Sequence, residues 1–375
     1  RPRDWSSDVC SSDLDAGRLQ VEEAEYANRG GFSRHRPARP LYTEKDAKRA
    51  LRQLRPVAFG KWIDTDGVRL CFHPAGHLLG AATVTVEHAH RRVVFSGDLG
   101  RLNDPVLMPP ESIERADYLI LESTYGNSLH DLVKTTPDLL LYWIEKTCLQ
   151  RKGKLVIPAF SVGRTQEILY ALNQLELERR LPDLDFFVDS PLSIEATELI
   201  KKYPLYFNKT IQKVLKTDED PFSFPGLKYI KNVEQSKLLN FRNEPCVIIS
   251  ASGMADAGRV KHHISNTIEN SRNTILFTGY CEPHTLGGKL MSGEKEVKIY
   301  GVLHEVHAEI ASIRSMSAHG DYEDLCQWLA CQNPAQVQNL FLVHGEYEVQ
   351  RQFRDRLMKK GFSVEIPTLP AEFSL

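Results

Sequence analysis

Several features that mark secreted, membrane-spanning or strongly charged proteins are missing from this sequence. It contains no run of about 18 or more apolar residues, so no segment is predicted to span a membrane. Its seven cysteines form no CxxC pair and are odd in number, which favours reduced, mostly buried thiols of a cytosolic protein over a disulfide framework. The 47 basic and 49 acidic residues nearly cancel. A nucleic-acid site would therefore be a local basic cleft and not a globally basic surface.

The first residues do not read like part of a folded domain. Residues 4–14, DWSSDVCSSDL, resemble an in-frame translation of a sequencing-library adapter, and a Ser/Asp-rich tail is the alternative interpretation. We therefore treat residues 1–14 as a non-native leader and exclude them from fold reasoning. On the adapter interpretation, the natural gene begins further upstream and Asp15 is an interior residue of a truncated chain.

The rest of the chain indicates one α/β domain interrupted by another. Residues 15–134 contain a helix that Thr43 is predicted to cap, followed by four short apolar runs typical of strands, two of which are joined in a hairpin by the link HAHR. Residues 135–303 alternate apolar strands with helices, which predicts a parallel sheet covered on both faces. Residues 304–375 return to the first domain. The strands outside the insert are predicted at residues 68–73, 82–87, 92–96, 118–122, 340–343 and 363–366.

Four short loops place a histidine or an acidic residue in a glycine-flanked turn after an apolar strand. They read HPAGHLLGAA (73–82), FSGDLGR (95–101), SAHGD (317–321) and FLVHGE (341–346), and they are accompanied by LESTYG at 121–126. Strand ends carry the reactive residues of open α/β folds. Imidazole and carboxylate groups also hold hydrolytic zinc while leaving a position open for water. One such loop is more often structural, whereas four of them together indicate a metal-dependent hydrolase.

The order of these motifs resembles the β-CASP branch of the metallo-β-lactamase superfamily, which includes the pre-mRNA 3′-end-processing endonuclease and its bacterial and archaeal relatives. The resemblance implies an αβ/βα metallo-β-lactamase sandwich, incomplete in this chain, that is split by a β-CASP domain with a parallel sheet. It further implies that His77 is a zinc ligand, that Asp98 bridges two zinc ions, and that His344 completes the second zinc site. By the same resemblance, Glu122 orients His319, which protonates the leaving oxygen.

Two further features bear on activity. By this resemblance, the residue at the last motif position is His in family members that cleave RNA and aliphatic in DNA-specific members. Position 344 is His, which favours RNA. The family's HxHxDH motif, which supplies the other ligands of both zinc ions, does not occur in the sequence. We therefore expect the natural protein to be a ribonuclease and this chain to be inactive or nearly so.

The insert contains the candidate RNA-binding residues. Two loops, AFSVGRTQE and SASGMADAGR, end a strand and open a helix, where the helix N-terminus favours phosphate, although ordinary capping and tight turns explain the same residues. A third loop, GYCEPHTLGGKL, resembles the family's GY…GTxGR loop but has Gly288 where arginine is usual, so Lys289 would supply the charge without a bidentate fork. The Asp189-Ser190-Pro191 segment is predicted to cap a helix, with no catalytic role. The predicted RNA-binding residues are Ser161, Gly163, Arg164, Ser252, Gly253, Gly258, Arg259 and Lys289.

Two alternatives remain open from the sequence. One is a DNA nuclease or small-ester hydrolase on the same fold, against which His344 and the two arginine-bearing loops argue. The other is a non-catalytic RNA-binding subunit, against which the intact His77, Asp98, His319 and His344 argue. The resemblance also implies a homodimer, and the cysteine usage indicates the cytoplasm.

Overall fold

The computed structural model describes residues 11–31, 33–368 and 372–373, so most of the predicted leader lies outside it. These residues form two compact units that divide after Ala58. The first unit consists of the helices α1 (Ser11–Gly30) and α2 (Glu44–Leu51). Thr43 caps α2 as predicted, because its hydroxyl accepts from the Asp46 backbone N–H and the Asp46 carboxylate accepts in return from the N–H of Thr43. None of the described helices is long and apolar enough to cross a membrane.

The second unit begins with a mixed seven-stranded sheet. Its strands are β1 (Ile63–Thr65), β2 (Val68–Pro74), β3 (Ala82–His88), β4 (Arg91–Phe95), β5 (Tyr118–Glu122), β14 (Asn339–Val343) and β15 (Val364–Glu365), in the spatial order β1-β2-β3-β4-β5-β14-β15. The predicted hairpin is confirmed, since β3 and β4 pair antiparallel through Ala89 and His90, both at positive φ. The αβ/βα sandwich has two sheets, and the described residues contain one of them.

The strand directions explain why the motif loops meet. Strands β4, β5 and β14 are parallel neighbours, and β2 runs in the same direction because both β2 and β4 are antiparallel to β3. The carboxyl ends of these four strands therefore lie at one edge of the sheet. The loops that follow them contain His77, Asp98, the LESTYG motif and His344. The helices α10 (Tyr322–Leu329) and α11 (Tyr347–Lys359) complete this part of the chain.

The insert contains a six-stranded, fully parallel sheet, as the sequence predicts. On β6, Leu155 and Ile157 pack into one hydrophobic cluster while Val156 packs into another, so both faces of the sheet are covered. The strands are β6 (Lys154–Pro158), β7 (Asp185–Val188), β8 (Leu227–Tyr229), β9 (Cys246–Ser250), β10 (Thr274–Phe277) and β13 (Glu309–Ser312), in the order β13-β10-β6-β9-β7-β8. Strand β13 lies beyond residue 303, where the insert was predicted to end.

Helices connect the strands of this second sheet. The helices are α3 (Thr136–Ile144), α4 (Arg164–Leu177), α5 (Pro191–Ile200), α6 (Lys209–Val214), α7 (Val233–Phe241), α8 (Arg259–Thr267) and α9 (Leu286–Met291). Ser190 caps α5 through the backbone N–H of Ser193, in agreement with the predicted cap. A separate hairpin, β11 (Glu296–Ile299) and β12 (Val302–Glu305), precedes β13.

Candidate metal centre

The carboxylate of Asp98 lies between two imidazoles that come from distant parts of the chain. Its Oδ2 is 3.9 Å from Nε2 of His77, and its Oδ1 is 3.4 Å from Nε2 of His344. The structure thus brings together the three residues that the sequence predicts as zinc ligands. Because each carboxylate oxygen faces a different imidazole, the arrangement suits a carboxylate that is shared between two metal positions.

A third imidazole, that of His319, completes the cluster. Its ring centroid is 4.5 Å from that of His77 and 5.5 Å from that of His344. One donor atom each from His77, Asp98 and His319 lies within 4.8 Å of the others, which is close enough to hold a metal ion. Imidazole nitrogen and carboxylate oxygen are ordinary zinc ligands. The residues that are present therefore fit zinc, and His319 is placed either to bind an ion or to act beside one.

Glu122 holds the ring of His319. The carboxylate of Glu122 is 1% exposed, and its two oxygens lie 3.1 and 3.0 Å from Nδ1 of His319. It also accepts a hydrogen bond from the backbone N–H of Leu99. Burial lowers the pKa of His319, but the hydrogen bond and negative charge of Glu122, together with Asp98, outweigh burial and raise that pKa above its ordinary value. The Glu122 carboxylate therefore stabilises the charged form of the His319 ring.

The turn that carries Asp98 is bonded to the other motif loops. The Leu99 carbonyl accepts from the N–H of Gly320, next to His319, and the N–H of Gly100 donates to the carbonyl of Ala75, each at 2.8 Å. Any Cβ at Gly100 would overlap the carbonyl oxygen of Gly76, so only glycine allows this close approach. The positions of His77, Asp98 and His319 are therefore set jointly by backbone contacts between their loops.

His344 is held in an uncommon backbone conformation. Its φ of 49° lies in the left-handed region, which few non-glycine residues adopt. The Ser123 N–H donates to the His344 carbonyl at 3.2 Å, and the Thr124 hydroxyl lies 3.2 Å from Nδ1 of the His344 ring. The EST segment thereby fixes both the backbone and the ring that face Asp98, a function that the sequence analysis did not assign to Thr124.

A buried ionic network begins in the same turn as Asp98. Arg101, three residues after Asp98, is 1% exposed, and its guanidinium binds Oε1 of Glu167 at 2.6 Å, the Ser315 carbonyl, and Asp104 at 3.7 Å. Burial and the charge of Glu167 raise the pKa of Asp104 to about 7, although Arg101 opposes the shift. The sequence identifies Arg101 only as part of the motif FSGDLGR, because its partner Glu167 is distant in the chain.

The predicted RNA-binding loops lie at the carboxyl edge of the second sheet, but two of their residues already form ion pairs within the protein. The Arg164 side chain is buried and paired with Glu167. The Arg259 guanidinium donates to Asp189 Oδ1 at 2.6 Å and to the carbonyls of Ile230 and Lys231. These two arginines therefore stabilise the conformation of the loops through contacts inside the protein.

The other residues of these loops differ in their accessibility. The hydroxyl of Ser161, which is partly exposed, lies 3.3 Å from that of Ser190. The N–H of Gly163 donates to the side chain of Gln166. The Ser252 hydroxyl donates to the Ala257 carbonyl at 3.3 Å. Gly253 is buried, whereas Gly258 and Lys289 are exposed.

Comparison with known proteins agrees with this fold. Residues 165–290 match the Beta-Casp domain model, and residues 303–367 match the model described as a Zn-dependent metallo-hydrolase RNA specificity domain. The chain belongs to the β-CASP ribonuclease family, whose fold is a metallo-β-lactamase domain with a β-CASP insertion.

Three relatives show how the chain compares within this family. It is 34% identical to Ribonuclease TTHA0252 of Thermus thermophilus, over 82% of this chain and 70% of that protein. It is 30% identical to an RNase J-like protein of Methanocaldococcus jannaschii, over 87% and 75%. It is 28% identical to Cleavage and polyadenylation specificity factor 73 of Drosophila melanogaster, of which it covers 44%.

Proposed function

We propose that the protein is a zinc-dependent ribonuclease that hydrolyses RNA phosphodiester bonds in RNA processing or decay. The observation that carries this proposal is the Asp98 carboxylate with one oxygen facing His77 and the other facing His344. Zinc bound at this position would lower the pKa of a water molecule to near neutrality, which supplies the attacking nucleophile. His77 and His344 would hold one ion each, with Asp98 shared between the two ions.

The protein's own residues would supply the proton that the leaving oxygen requires. With Nδ1 of His319 engaged by Glu122, Nε2 is the ring atom that can hold a proton for the departing oxygen. The buried negative charge of Glu122 favours the protonated ring. Cleavage would leave a 5′-phosphate and a 3′-hydroxyl, and the family resemblance implies endonucleolytic attack, with 5′-to-3′ exonuclease activity in some members.

Substrate choice tests the proposal directly. RNA and DNA of the same sequence are incubated with an excess of the protein and of zinc, so that slow cleavage at a partly loaded site is detected in a single turnover. Because this chain lacks the HxHxDH motif, we expect only slow cleavage of RNA, less cleavage of DNA, and no cleavage of either by His344→Ala. Equal cleavage of DNA would favour the DNA nuclease alternative. Tight RNA binding with no cleavage even at saturating zinc would favour the non-catalytic subunit.

Zinc content is expected to fall short of two tightly held ions. His77, Asp98 and His344 supply three ligands for two positions, whereas hydrolytic zinc is usually held by three protein ligands per ion. The measurement is metal analysis of the purified chain after dialysis against zinc-free buffer. Two retained equivalents per chain would refute this expectation and would show that other residues complete the sites.

The two interpretations of His319 predict different zinc affinities. If His319 is the proton donor, His319→Ala abolishes RNA cleavage and leaves zinc affinity within about 3-fold of the unsubstituted chain. His77→Ala is the matched control, since loss of a ligand weakens zinc binding by about 10-fold or more. Competition with a zinc-binding dye measures both. A large loss of zinc affinity in His319→Ala would make His319 a ligand, with Glu122 as its supporting carboxylate.

We propose that the RNA groove lies between the loops of the seven-stranded sheet that carry His77, Asp98 and His344 and the loops at the carboxyl edge of the insert's sheet. Ser161, Ser252, Gly258 and Lys289 would contact the RNA backbone, with Arg164 and Arg259 positioning these loops from beneath. A cytoplasmic location is supported by the six free cysteines among the described residues. The homodimer stays a prediction from the family resemblance.

A further inference from the structure

His130 contacts the loop of His319 from outside the metal cluster. It is partly buried and follows the LESTYG motif in the chain. Its Nε2 lies 3.0 Å from the carbonyl oxygen of His319, and its backbone N–H donates to Oδ2 of Asp321 at 3.0 Å. A carbonyl oxygen can only accept, so Nε2 of His130 carries the hydrogen of the first bond. One residue thus binds both chain neighbours of Gly320.

The peptide unit between His319 and Gly320 is held at both edges. Its N–H, which belongs to Gly320, donates to the carbonyl of Leu99 at 2.8 Å. Its carbonyl, which belongs to His319, accepts from His130 on the opposite side. Because a peptide unit is planar and rigid, two bonds at opposite edges fix its rotation. Glycine offers little steric resistance to such rotation, so without His130 the unit would keep only its bond to Leu99.

The tilt of this peptide unit determines where the ring of His319 lies. Nδ1 of the ring is engaged by the Glu122 carboxylate, which also accepts from the N–H of Leu99. The ring and the peptide unit of His319 are therefore held by neighbouring groups. Rotation of the peptide unit would change the direction of the Cα–Cβ bond of His319. The ring would then move relative to Glu122, and its Nε2 would move relative to the metal centre.

Tyr125 packs against the ring of His130 and limits its movement. The two ring centroids are 4.5 Å apart at an interplanar angle of 72°, which is a favourable edge-to-face arrangement. The backbone of Tyr125 also pairs with that of Asp321 in an isolated parallel bridge. The segment that carries Tyr125 and His130 therefore runs beside the loop of His319, and the donor atom of His130 has a defined position there.

We propose that His130 is a positioning residue for His319: its Nε2–H group holds the peptide unit after His319 and so sets the place of the His319 ring at the metal centre. This inference rests on the proposed ribonuclease function and deepens it. In it, His130 touches neither zinc nor RNA and acts only through His319. Misplacement of a catalytic group by about 1 Å can lower a rate by about 100-fold. Loss of the His130 bond should therefore lower the rate of cleavage and leave RNA affinity unchanged.

Three substitutions at position 130 test this proposal, because they place an N–H group differently. The side-chain nitrogen of glutamine lies about as far from the backbone as Nε2 of histidine, whereas that of asparagine lies at the place of Nδ1. His130→Gln should therefore keep the bond to the His319 carbonyl, and His130→Asn and His130→Leu should lose it. Single-turnover cleavage of RNA with excess zinc, measured over a series of protein concentrations, gives a maximal rate and a half-saturating concentration.

The expected result separates the rate of cleavage from RNA binding. The maximal rate should fall by about 10-fold to 100-fold in His130→Asn and His130→Leu and stay within about 3-fold in His130→Gln. The half-saturating concentration should stay within about 3-fold in all three variants. Equal rates in all three variants and the unsubstituted protein would overturn the proposal. An equal loss in His130→Gln and His130→Leu would overturn it as well, because the N–H group would then not be the cause.

His304→Leu is the matched control. The ring of His304 is also partly buried and bonded at both nitrogens, with Nε2 3.2 Å from the Ser265 hydroxyl and Nδ1 3.0 Å from Oε1 of Glu269. It lies on β12 of the insert and not in a motif loop. Its replacement should leave the maximal rate within about 3-fold. A loss equal to that of His130→Leu would show that an enclosed histidine matters only for folding, and the proposal would fall.

The side-chain nitrogen NMR signals of His319 test its position without any cleavage. They are assigned by their disappearance in His319→Ala. We expect them to shift in His130→Asn and His130→Leu and to stay in place in His130→Gln and His304→Leu. Signals that stay in place in all variants would overturn the proposal, even if the cleavage rate falls. If the unsubstituted protein cleaves no RNA at saturating zinc, the proposed function fails, and these signals still decide whether His130 positions His319.

Discussion

Replacing Glu122 by Gln is expected to lower the rate of RNA cleavage by a factor of about 10²–10⁴, the usual contribution of a positioned acid or base. Gln fits the same buried space and can still accept from the N–H of Leu99. It cannot hold a proton on His319 by charge, and its amide can turn an N–H group toward Nδ1. The ring then loses both its charge and its orientation. Single-turnover cleavage with excess zinc measures the effect.

The pH dependence of the same variant has a defined direction. His319 must be protonated to act as the acid, so activity falls as pH rises through its pKa. Glu122 raises that pKa against the effect of burial. Without the carboxylate charge the pKa of His319 falls, and the alkaline limb of the rate profile moves to lower pH. A profile that keeps its alkaline limb in place would contradict the assignment of His319 as the acid.

Glu111→Gln provides a control with the same residue types. The carboxylate of Glu111 lies 3.1 Å from Nδ1 of His73, but its side chain is half exposed and lies outside the metal cluster. We expect the cleavage rate of this variant to stay within about 3-fold of the unsubstituted chain, since exposed pairs contribute little. A comparable loss in both variants would indicate a general effect on folding.

Replacing Arg101 by Met is expected to lower the free energy of unfolding by about 3–5 kcal/mol. The guanidinium is fully enclosed, and its removal leaves the buried carboxylates of Glu167 and Asp104 with one positive partner fewer. Urea denaturation followed by tryptophan fluorescence and circular dichroism measures the loss, provided that the two transitions coincide. The double variant Arg101→Met, Asp104→Asn should recover part of the loss, because it removes the buried charge of Asp104, while Glu167 stays paired with Arg164.

The loss of unfolding free energy caused by Arg101→Met should also increase with pH. In the folded state the pKa of Asp104 is raised to about 7, so its contribution to stability is complete below its unfolded pKa and is lost as pH rises through the folded pKa. Loss of Arg101 raises this pKa further, so the penalty is larger at about pH 8 than at about pH 6. Arg69→Met is the control: its ion pair with Glu87 is half exposed, so we expect a change of less than about 1 kcal/mol. Equal losses in both variants would show that burial of the Arg101 network is not the cause.

Local patterns predicted most of the architecture. The hairpin between β3 and β4, the parallel sheet of the insert, and the caps at Thr43 and Ser190 are confirmed, because each depends on short-range periodicity or on a side chain next to the backbone group that it satisfies. The convergence of His77, Asp98 and His344 was implied by the family resemblance, and their positions after neighbouring parallel strands explain it physically. Strand order then determines which strand ends are neighbours.

Long-range pairing between side chains could not be predicted in the same way. Arg101 and Glu167 are separated by 66 residues, and Arg259 and Asp189 by 70. No local pattern distinguishes an arginine that will be buried with a carboxylate from one that faces phosphate. Both Arg164 and Arg259 were therefore predicted to contact RNA, and the structure places both against acidic side chains. A sequence motif therefore does not show whether the charge of its arginine is already neutralised by an acidic side chain within the fold.

The position of β14 in its sheet has a consequence for biosynthesis. This strand lies between β5 and β15 and delivers His344, although it is synthesised only after the whole insert. Until then, β5 has an open side and Asp98 lacks one of its two imidazole neighbours. The contact between Asp98 and His344 thus forms only after the insert has been made, so the candidate metal centre is a late product of folding.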